Sequence, residues 1–324
     1  MPESKNALPL DKDIIKEHLN ITRKDYVLKG LVRGGVGFLI APPDTGKSHL
    51  CLTIAYELAT GCDLLSVSQS SQPLRTLLWL VEDCVSETLI RVETHLPAFT
   101  KRQREKIAEG VSIYTRNDPI CQRTPADPII NSAALEELIC AAKDFDLLII
   151  DTLRVAIGTT DEVKDDSLIR QTLNKLATEA DVALLVVHHP TKNVSRGNDV
   201  INSVSGSGLS STLSQSKLHF YLNKLSDKAG KVTTTLQHIK ANYVSRDDRI
   251  ETPVRLKWTE NSLLCKSGDT HLPGRHASTS KRVDKDIDSA LADAEKQQII
   301  EIPDDPVPLE TGMAYELARR MREK

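Results

Sequence analysis

The chain has 324 residues, of which 40% are hydrophobic and 27% are charged. This composition is typical of folded globular proteins and excludes a disordered or fibrous chain. The formal net charge of −3 shows no basic excess, so a contact with nucleic acid would have to come from a local group of cations. The six cysteines form no CxxC pair and no zinc-type spacing with histidine, which indicates reduced thiols.

Residues 1–25 are polar and predict an amino-terminal arm rather than a domain. They lack the apolar stretch of a signal peptide, and no run in the chain approaches the roughly 18 apolar residues of a membrane-spanning helix. We therefore expect a cytoplasmic protein without membrane contact. Residues 26–266 predict one large domain, and residues 267–324 predict a linker followed by a helical tail.

Short apolar runs alternate with helical patterns along the large domain. The runs predict buried strands at Val36–Ala41, Thr76–Val81, Leu147–Ile150 and Ala183–Val187. Helical spacing predicts helices at Gly46–Thr60, Val85–His95, Asn131–Ala142 and Ser167–Glu179, with Gly61 ending the first. Later strands are predicted at Leu218–Leu222, Thr233–Lys240 and Pro253–Trp258. The expected fold is α/β, with a mostly parallel sheet flanked by helices and later strands antiparallel at its edge.

The segment APPDTGKS lies between the first buried strand and an amphipathic helix, which is the context of a phosphate-binding loop. Its amides would surround a phosphate at a helix amino terminus. Lys47 is expected to bind the β- and γ-phosphates of ATP, and Ser48 to bind Mg²⁺. The motif departs from the usual pattern because Ala41 replaces its first glycine. The expected nucleotide-binding residues are Asp44, Thr45, Gly46, Lys47, Ser48 and His49.

Acidic residues follow two of the other predicted strands. Asp151 follows the apolar residues of the run DLLIIDT and is expected to bind Mg²⁺. The alternative is an ordinary strand in which Asp151 only begins a turn. Glu82 and Asp83 end TLLWLVED, and a general base for water attack belongs there. We prefer Glu82 for that role, since Asp83 also suits a cap of the following helix.

His188 and His189 end the fourth predicted strand, in the run ALLVVHHP. Neutral imidazoles there would contact the γ-phosphate and report whether it is present. Paired histidines are also common as structural residues. The set contains no further ligands at a spacing that suits a metal.

The ordered motifs APPDTGKS, WLVED, LLIIDTLR, LLVVHHPTK and KANY resemble those of the RepA-like hexameric replicative helicases of plasmids and mobile elements. More widely, the chain looks like the RecA, DnaB and KaiC superfamily of P-loop ATPases, over about residues 26–260. The resemblance implies the same catalytic set, namely Lys47, Ser48, Glu82, Asp151 and His188 or His189. It also implies a hexameric ring with the nucleotide between subunits.

In that family an arginine from the neighbouring subunit completes the site, and the matching position here is Lys217. Lysine supplies the charge without the planar fork of guanidinium donors. Lys240, Arg246 and Arg249 are alternative cations, and a solvated Lys217 without this role is equally compatible with the sequence.

The polar stretch TKNVSRGNDVINSVSGSG follows the histidine strand, where ring helicases of this superfamily have loops that face the central channel. Lys192 and Arg196 would contact the phosphates of single-stranded DNA there, without base stacking. A surface loop without a ligand is the alternative.

Together these features predict an ATP-driven helicase of plasmid or mobile-element replication, assisted by a replication initiator and a separate primase. A RecA-like ATPase of DNA repair, recombination or regulation is the second hypothesis, and a nucleotide-binding scaffold with a degenerate site is the third.

Overall fold

The computed structural model describes residues 12–13, 15–16, 26–70, 72–123, 128–158, 161–190, 209–226, 232–244, 249–250 and 252–268. The main structure is a nine-stranded sheet with the order β13-β12-β11-β10-β3-β9-β8-β4-β5. The six strands from β10 to β5 in this order are parallel, and β11, β12 and β13 are antiparallel. The predicted fold class is therefore confirmed.

The strands of this sheet are β3 Val36–Ile40, β4 Thr76–Trp79, β5 Val111–Ile113, β8 Leu147–Ile150, β9 Ala183–His188, β10 Leu218–Ser226, β11 Val232–Ala241, β12 Val254–Trp258 and β13 Leu264–Lys266. Two small hairpins consist of β1 Tyr26–Leu28 with β2 Leu31–Val32 and β6 Cys121–Arg123 with β7 Pro128–Ile130. The helices are α1 Lys47–Thr60, α2 Val85–His95, α3 Lys101–Gly110, α4 Ser132–Ala142, α5 Leu153–Ile157, α6 Glu162–Glu179 and α7 Ser210–Gln215. No helix in these described ranges is long and apolar enough to cross a membrane.

The central strands are buried on both faces because helices cover the sheet from both sides. Leu39 of β3 packs in a core with α1 and α3, whereas its neighbours Phe38 and Ile40 pack in a second core with α4 and α6. This alternation follows from the two-residue period of a strand. It explains why the strands appear in the sequence as continuous apolar runs.

A buried carboxylate fixes the chain after α1. Glu57 is 2% exposed, and its two oxygens accept hydrogen bonds from the backbone N–H groups of Leu64, Leu65, Val67 and Ser68. Burial raises the pKa of Glu57, and the backbone hydrogen bonds oppose that shift. The segment that connects α1 to β4 is therefore held by one side chain of the helix.

Most predicted elements match the observed ones to within one or two residues. Strand β10 is longer than predicted, since it continues to Ser226 rather than ending at Leu222. Helix α6 begins at Glu162 rather than at Ser167, since Asp161 accepts a hydrogen bond from the Lys164 amide and caps it. No prediction was made for helices α3, α5 and α7, for the two small hairpins or for the short strands β5 and β13.

The carboxyl ends of β3, β4, β8 and β9 meet at one edge of the sheet, because these strands are parallel neighbours or near neighbours. The segments that follow them contain the phosphate loop, Glu82, Asp151 and His189. This is the edge at which open α/β sheets bind ligands. The fold thus brings together four residues or segments that the sequence spreads over about 150 positions.

Candidate nucleotide-binding site

The phosphate loop connects β3 to α1. Asp44 and Gly46 adopt positive φ angles of 59° and 90°, and the Thr45 hydroxyl donates to the Pro42 carbonyl at 2.8 Å. Gly46 is the residue that caps α1, so the first helical amides of Lys47 and Ser48 are free of intrahelical partners. The loop therefore presents N–H donors and the positive end of a helix dipole to an anion.

Ala41 does not strain this loop. It is fully buried, its amide donates to the His188 carbonyl at 3.0 Å, and its φ angle is not positive. A glycine is required only where the backbone is left-handed or closely approached. The departure from the usual motif at this position therefore leaves the loop conformation intact.

Ser48 and Asp151 are the residues expected to bind Mg²⁺. The Ser48 hydroxyl donates to Asp151 Oδ2 at 2.6 Å, and Asp151 is 1% exposed. Asp151 Oδ1 is buried and has no hydrogen-bond partner in the part of the chain that the structure describes. Burial raises the pKa of Asp151 to about 6, opposed by Ser48 and by the charge of Lys47. A buried, unpartnered carboxylate oxygen beside a hydroxyl fits Mg²⁺, which binds few protein oxygens and completes its shell with water and phosphate.

Glu82 lies beside this pair. Its carboxylate is 3.5 Å from Lys47 Nζ and accepts a hydrogen bond of 2.6 Å from the Thr152 hydroxyl. Strand β4 ends at Trp79, so Glu82 stands in the turn after the strand, where its amide donates to the Asp151 carbonyl at 3.4 Å. Its side chain is 35% exposed and accessible to water. The sequence did not predict the role of Thr152, although the residue directly follows Asp151.

A family model described as an AAA domain matches residues 5–195, which is more than half of the chain. The chain belongs to the AAA domain family. With the loop and the acidic residues described above, it is a P-loop ATPase with a mostly parallel central sheet. Strands β10 to β13 and Lys217 follow the matched segment in the sequence.

Among solved structures, the chain is similar to the crystal structure of a KaiC-like protein from the hyperthermophilic archaeon Pyrococcus horikoshii. The two share 14% sequence identity with a TM-score of 0.49, and the match covers 75% of this chain and 94% of that chain.

Asp83 of this AAA domain has a structural partner. Its carboxylate forms a two-pronged ion pair with Arg91 of α2, through Nη1 to Oδ2 and through Nη2 to Oδ1 at 3.2 Å. The alternative of a helix cap is wrong, because Cys84 occupies the cap position of α2 and no side chain caps that end. Asp83 thus anchors the turn that contains Glu82, and Arg91 has its pKa raised by this pairing.

The two histidines of the AAA domain are in different environments. His188 is the last residue of β9 and is 2% exposed. His189 stands at the strand tip with Nε2 4.0 Å from Glu82 Oε1, and its side chain is 34% exposed. Burial and the charge of Lys47 lower the pKa of His189, so the ring is neutral at physiological pH. Of the pair, His189 is the one that faces the site.

His49 follows the loop, but its imidazole turns away from it. The ring contacts His95 of α2, with Nδ1 to Nε2 at 3.0 Å, and stands edge-on to Trp258 of β12. Burial lowers the pKa of both histidines, that of His95 to about 4. The backbone of His49, rather than its side chain, is therefore the part available near a phosphate.

Lys217 lies at the opposite edge of the sheet. It precedes β10, and its amide donates to the Val36 carbonyl at 3.4 Å, at the amino-terminal end of β3. Its ammonium is 5.9 Å from the Tyr243 ring centroid, and both line a cavity of about 240 Å³ together with Arg170 of α6. Within one chain, Lys217 does not reach the phosphate loop.

The remaining predicted cations lie in different places. Arg249 is close enough to His238 for its charge to lower the pKa of that ring. The Lys240 ammonium donates to the carbonyls of Leu213 and Ser214 at 3.2 and 2.6 Å and so binds the carboxyl end of α7. Lys192, Arg196 and Arg246 lie outside the described residues.

Proposed function

We propose that this protein hydrolyses ATP, with Glu82 as the general base. The observation that carries the proposal is the contact of Glu82 with both Lys47 and Thr152, beside the pair formed by Ser48 and Asp151. The base and the expected phosphate and metal ligands therefore share one sheet edge. A carboxylate that is partly exposed and oriented by a hydroxyl is suited to accept a proton from water.

The Lys47 ammonium lies 3.5 Å from a carboxylate oxygen of Glu82. When the polyphosphate of ATP enters the loop, Lys47 exchanges Glu82 for phosphate oxygens, and Glu82 remains held by Thr152. Ser48 and Asp151 would hold Mg²⁺, which supplies positive charge against the charge that develops on the transferring phosphoryl group. His189, 4.0 Å from Glu82, is the proposed sensor of the γ-phosphate.

The test of hydrolysis compares two glutamine substitutions on neighbouring glutamates. Glu82→Gln is expected to lower kcat at least about 100-fold while ATP binding persists, since removal of a general base costs about 10²–10⁴ in rate. Glu87→Gln, in the first turn of α2, is expected to leave kcat within about twofold. Equal rates for Glu82→Gln and the unaltered protein would remove Glu82 from the mechanism.

We infer further that the active form is a ring, expected to be hexameric, in which Lys217 acts on the nucleotide of a neighbouring subunit. Its place at the edge opposite the phosphate loop supports a role in trans. Arg170 shares the cavity with Lys217. Arg170 thus offers the planar fork of donors that Lys217 lacks.

Mixed oligomers test this arrangement. Lys47→Ala lacks a working phosphate loop, and the double substitution Arg170→Ala with Lys217→Ala lacks the cations. Each is expected to be inactive alone, and mixing the two before assembly is expected to restore part of the ATPase activity. If the mixture stays inactive while the unaltered protein hydrolyses ATP, the trans role of these cations is refuted.

We propose that hydrolysis drives the protein along single-stranded DNA as a replicative helicase of a plasmid or mobile element, with an initiator and a primase as partners. Lys192 and Arg196 are the proposed DNA contacts. Oligo-dT is expected to stimulate ATP hydrolysis, and electron microscopy with a non-hydrolysable ATP analogue is expected to show a ring around the strand. Stimulation by DNA without unwinding of a forked duplex would favour the non-helicase ATPase of repair, recombination or regulation.

A further inference from the structure

An exposed tryptophan lies against the phosphate loop. Trp258, the last residue of β12, is 45% exposed. Its six-membered ring packs on Gly46, because a methyl group added there would lie 2.7 Å from Trp258 Cζ2 and 2.8 Å from Cη2. Single exposed apolar residues are ordinary on protein surfaces. This one is unusual in that it touches the residue that begins the nucleotide-binding helix.

The indole is held on one side and open on another. The His49 ring stands edge-on to it at 5.0 Å between centroids and an interplanar angle of 82°. On the strand side, Trp258 is paired in register with Leu264 of β13. The indole is therefore positioned by Gly46, His49 and the β12–β13 hairpin, while nearly half of the side chain still faces solvent.

From this placement we propose that Trp258 forms the base-binding subsite of the nucleotide site, where a purine base stacks on the indole. The proposal rests on the proposed binding of ATP at Gly46 and Lys47. A nucleotide anchored by its phosphates at the loop would have its base one ribose away, within reach of an indole that packs on Gly46. A flat, electron-rich aromatic surface binds a nucleobase by stacking, and a purine offers the larger surface.

Intrinsic fluorescence gives a direct test, because the chain has two tryptophans. Trp79 is 1% exposed, and its indole N–H donates to the Arg116 carbonyl at 2.8 Å in the core. A change on nucleotide binding therefore reports Trp258. ATP and ADP are expected to quench the fluorescence of the unaltered protein, whereas inorganic tripolyphosphate, which lacks a base, is expected to bind without quenching. Trp258→Phe is expected to remove the quenching.

Affinities separate stacking from a structural role. Trp258→Leu is expected to weaken ATP binding about 5- to 100-fold, the range that loss of one base–aromatic stack produces. Trp258→Phe keeps an aromatic surface and is expected to recover most of the affinity. Tripolyphosphate affinity is expected to stay the same in all three proteins. The preference for ATP and GTP over CTP and UTP is expected to shrink in Trp258→Leu.

Each other outcome overturns the proposal. Equal loss of affinity for ATP and tripolyphosphate in Trp258→Leu would mean that the indole supports the loop rather than the base. Unchanged ATP affinity together with loss of assembly in sedimentation would make Trp258 an interface residue. Failure of the proposed ATP binding is distinct from these results, since the unaltered protein would then bind neither ATP nor tripolyphosphate.

Discussion

The Thr152 hydroxyl donates a hydrogen bond of 2.6 Å to Glu82 Oε1 and thereby connects the residue after Asp151, the proposed metal ligand, to the proposed base. The two side chains belong to segments that follow neighbouring strands, β8 and β4. Thr152 is 1% exposed, so this bond is shielded from water by the fold. The orientation of Glu82 therefore depends on a buried hydroxyl group.

Replacing Thr152 by valine removes the hydroxyl and keeps the shape. We expect Thr152→Val to lower kcat about 5- to 10-fold with little change in KM, since one hydrogen bond contributes about 1 kcal/mol to the orientation of the base. Thr152→Ser restores the donor and is expected to restore most of the rate. Steady-state ATP hydrolysis measures both effects, and an unchanged kcat in Thr152→Val would show that Glu82 is positioned by other groups.

The pair of Asp83 and Arg91 predicts a measurable coupling. Both side chains are 26% exposed, and the pairing is two-pronged. A double-mutant cycle with Asp83→Asn and Arg91→Gln, followed by urea unfolding, is expected to give a coupling free energy of about 1 kcal/mol. Arg91→Lys keeps the charge without the fork and should recover only part of it. A coupling near zero would mean that the pair does not anchor the turn.

Substitution of Glu57 is expected to lower the free energy of unfolding more than substitution of a residue of the site. Removal of Glu57 leaves the four backbone N–H groups of the segment from Leu64 to Ser68 without an acceptor in a buried region. Glu57→Ala is expected to lower the free energy of unfolding by at least about 3 kcal/mol. Glu179→Ala, at the exposed carboxyl end of α6, is the control and should change it by less than about 0.5 kcal/mol. Urea denaturation distinguishes the two.

The sequence predicted the long, strongly patterned parts of the fold and the residues that lie next to them. Strands β3 and β8 are continuous apolar runs. Asp151 directly follows β8, and the loop that ends at Lys47 follows β3, so their meeting follows from the parallel order of the sheet. The partners of Asp83 and His49 were not predictable, because Arg91 and His95 come together with them only through the path of α2. The same is true of Trp258, whose contact with Gly46 spans more than 200 positions.

His238 predicts how stability changes in acid. Burial, with smaller effects from Arg249 and Lys29, lowers its pKa to about 4, and its Nδ1 accepts a hydrogen bond of 2.9 Å from the Ile250 amide. In the unfolded chain histidine titrates near about 6.5, so the unfolded state takes up a proton first. The stabilisation is therefore complete above about pH 6.5 and is lost as the pH falls towards 4.

Urea unfolding between pH 7 and pH 4.5 measures this loss. His238→Asn keeps an acceptor near the position of Nδ1 and does not titrate. As the pH falls from 7 to 4.5, we expect the free energy of unfolding to decrease less steeply in this variant than in the unaltered protein. The two slopes are expected to differ by up to about 1.4 kcal/mol per pH unit. Identical slopes in both proteins would assign the acid sensitivity to other groups, such as His95.

Adding a methyl group at Gly46 and removing one at Ala41 are expected to have different effects on ATP binding. Gly46 has a φ angle of 90°, and a Cβ there would overlap the Trp258 ring at 2.7 Å, so Gly46→Ala meets both backbone strain and a clash. We expect this variant to lose ATP binding at least about tenfold. Ala41 already has an ordinary φ angle and is buried, so Ala41→Gly, which restores the usual motif, should give no gain in affinity.

Isothermal titration with ATP and with tripolyphosphate checks both variants. The double variant Gly46→Ala with Trp258→Leu removes the clash and leaves the backbone strain. If it binds tripolyphosphate better than Gly46→Ala alone, the contact with Trp258 is one reason for the glycine at this position. If the two bind equally weakly, the left-handed backbone alone requires it, and the indole then tolerates a methyl group by moving away from the loop.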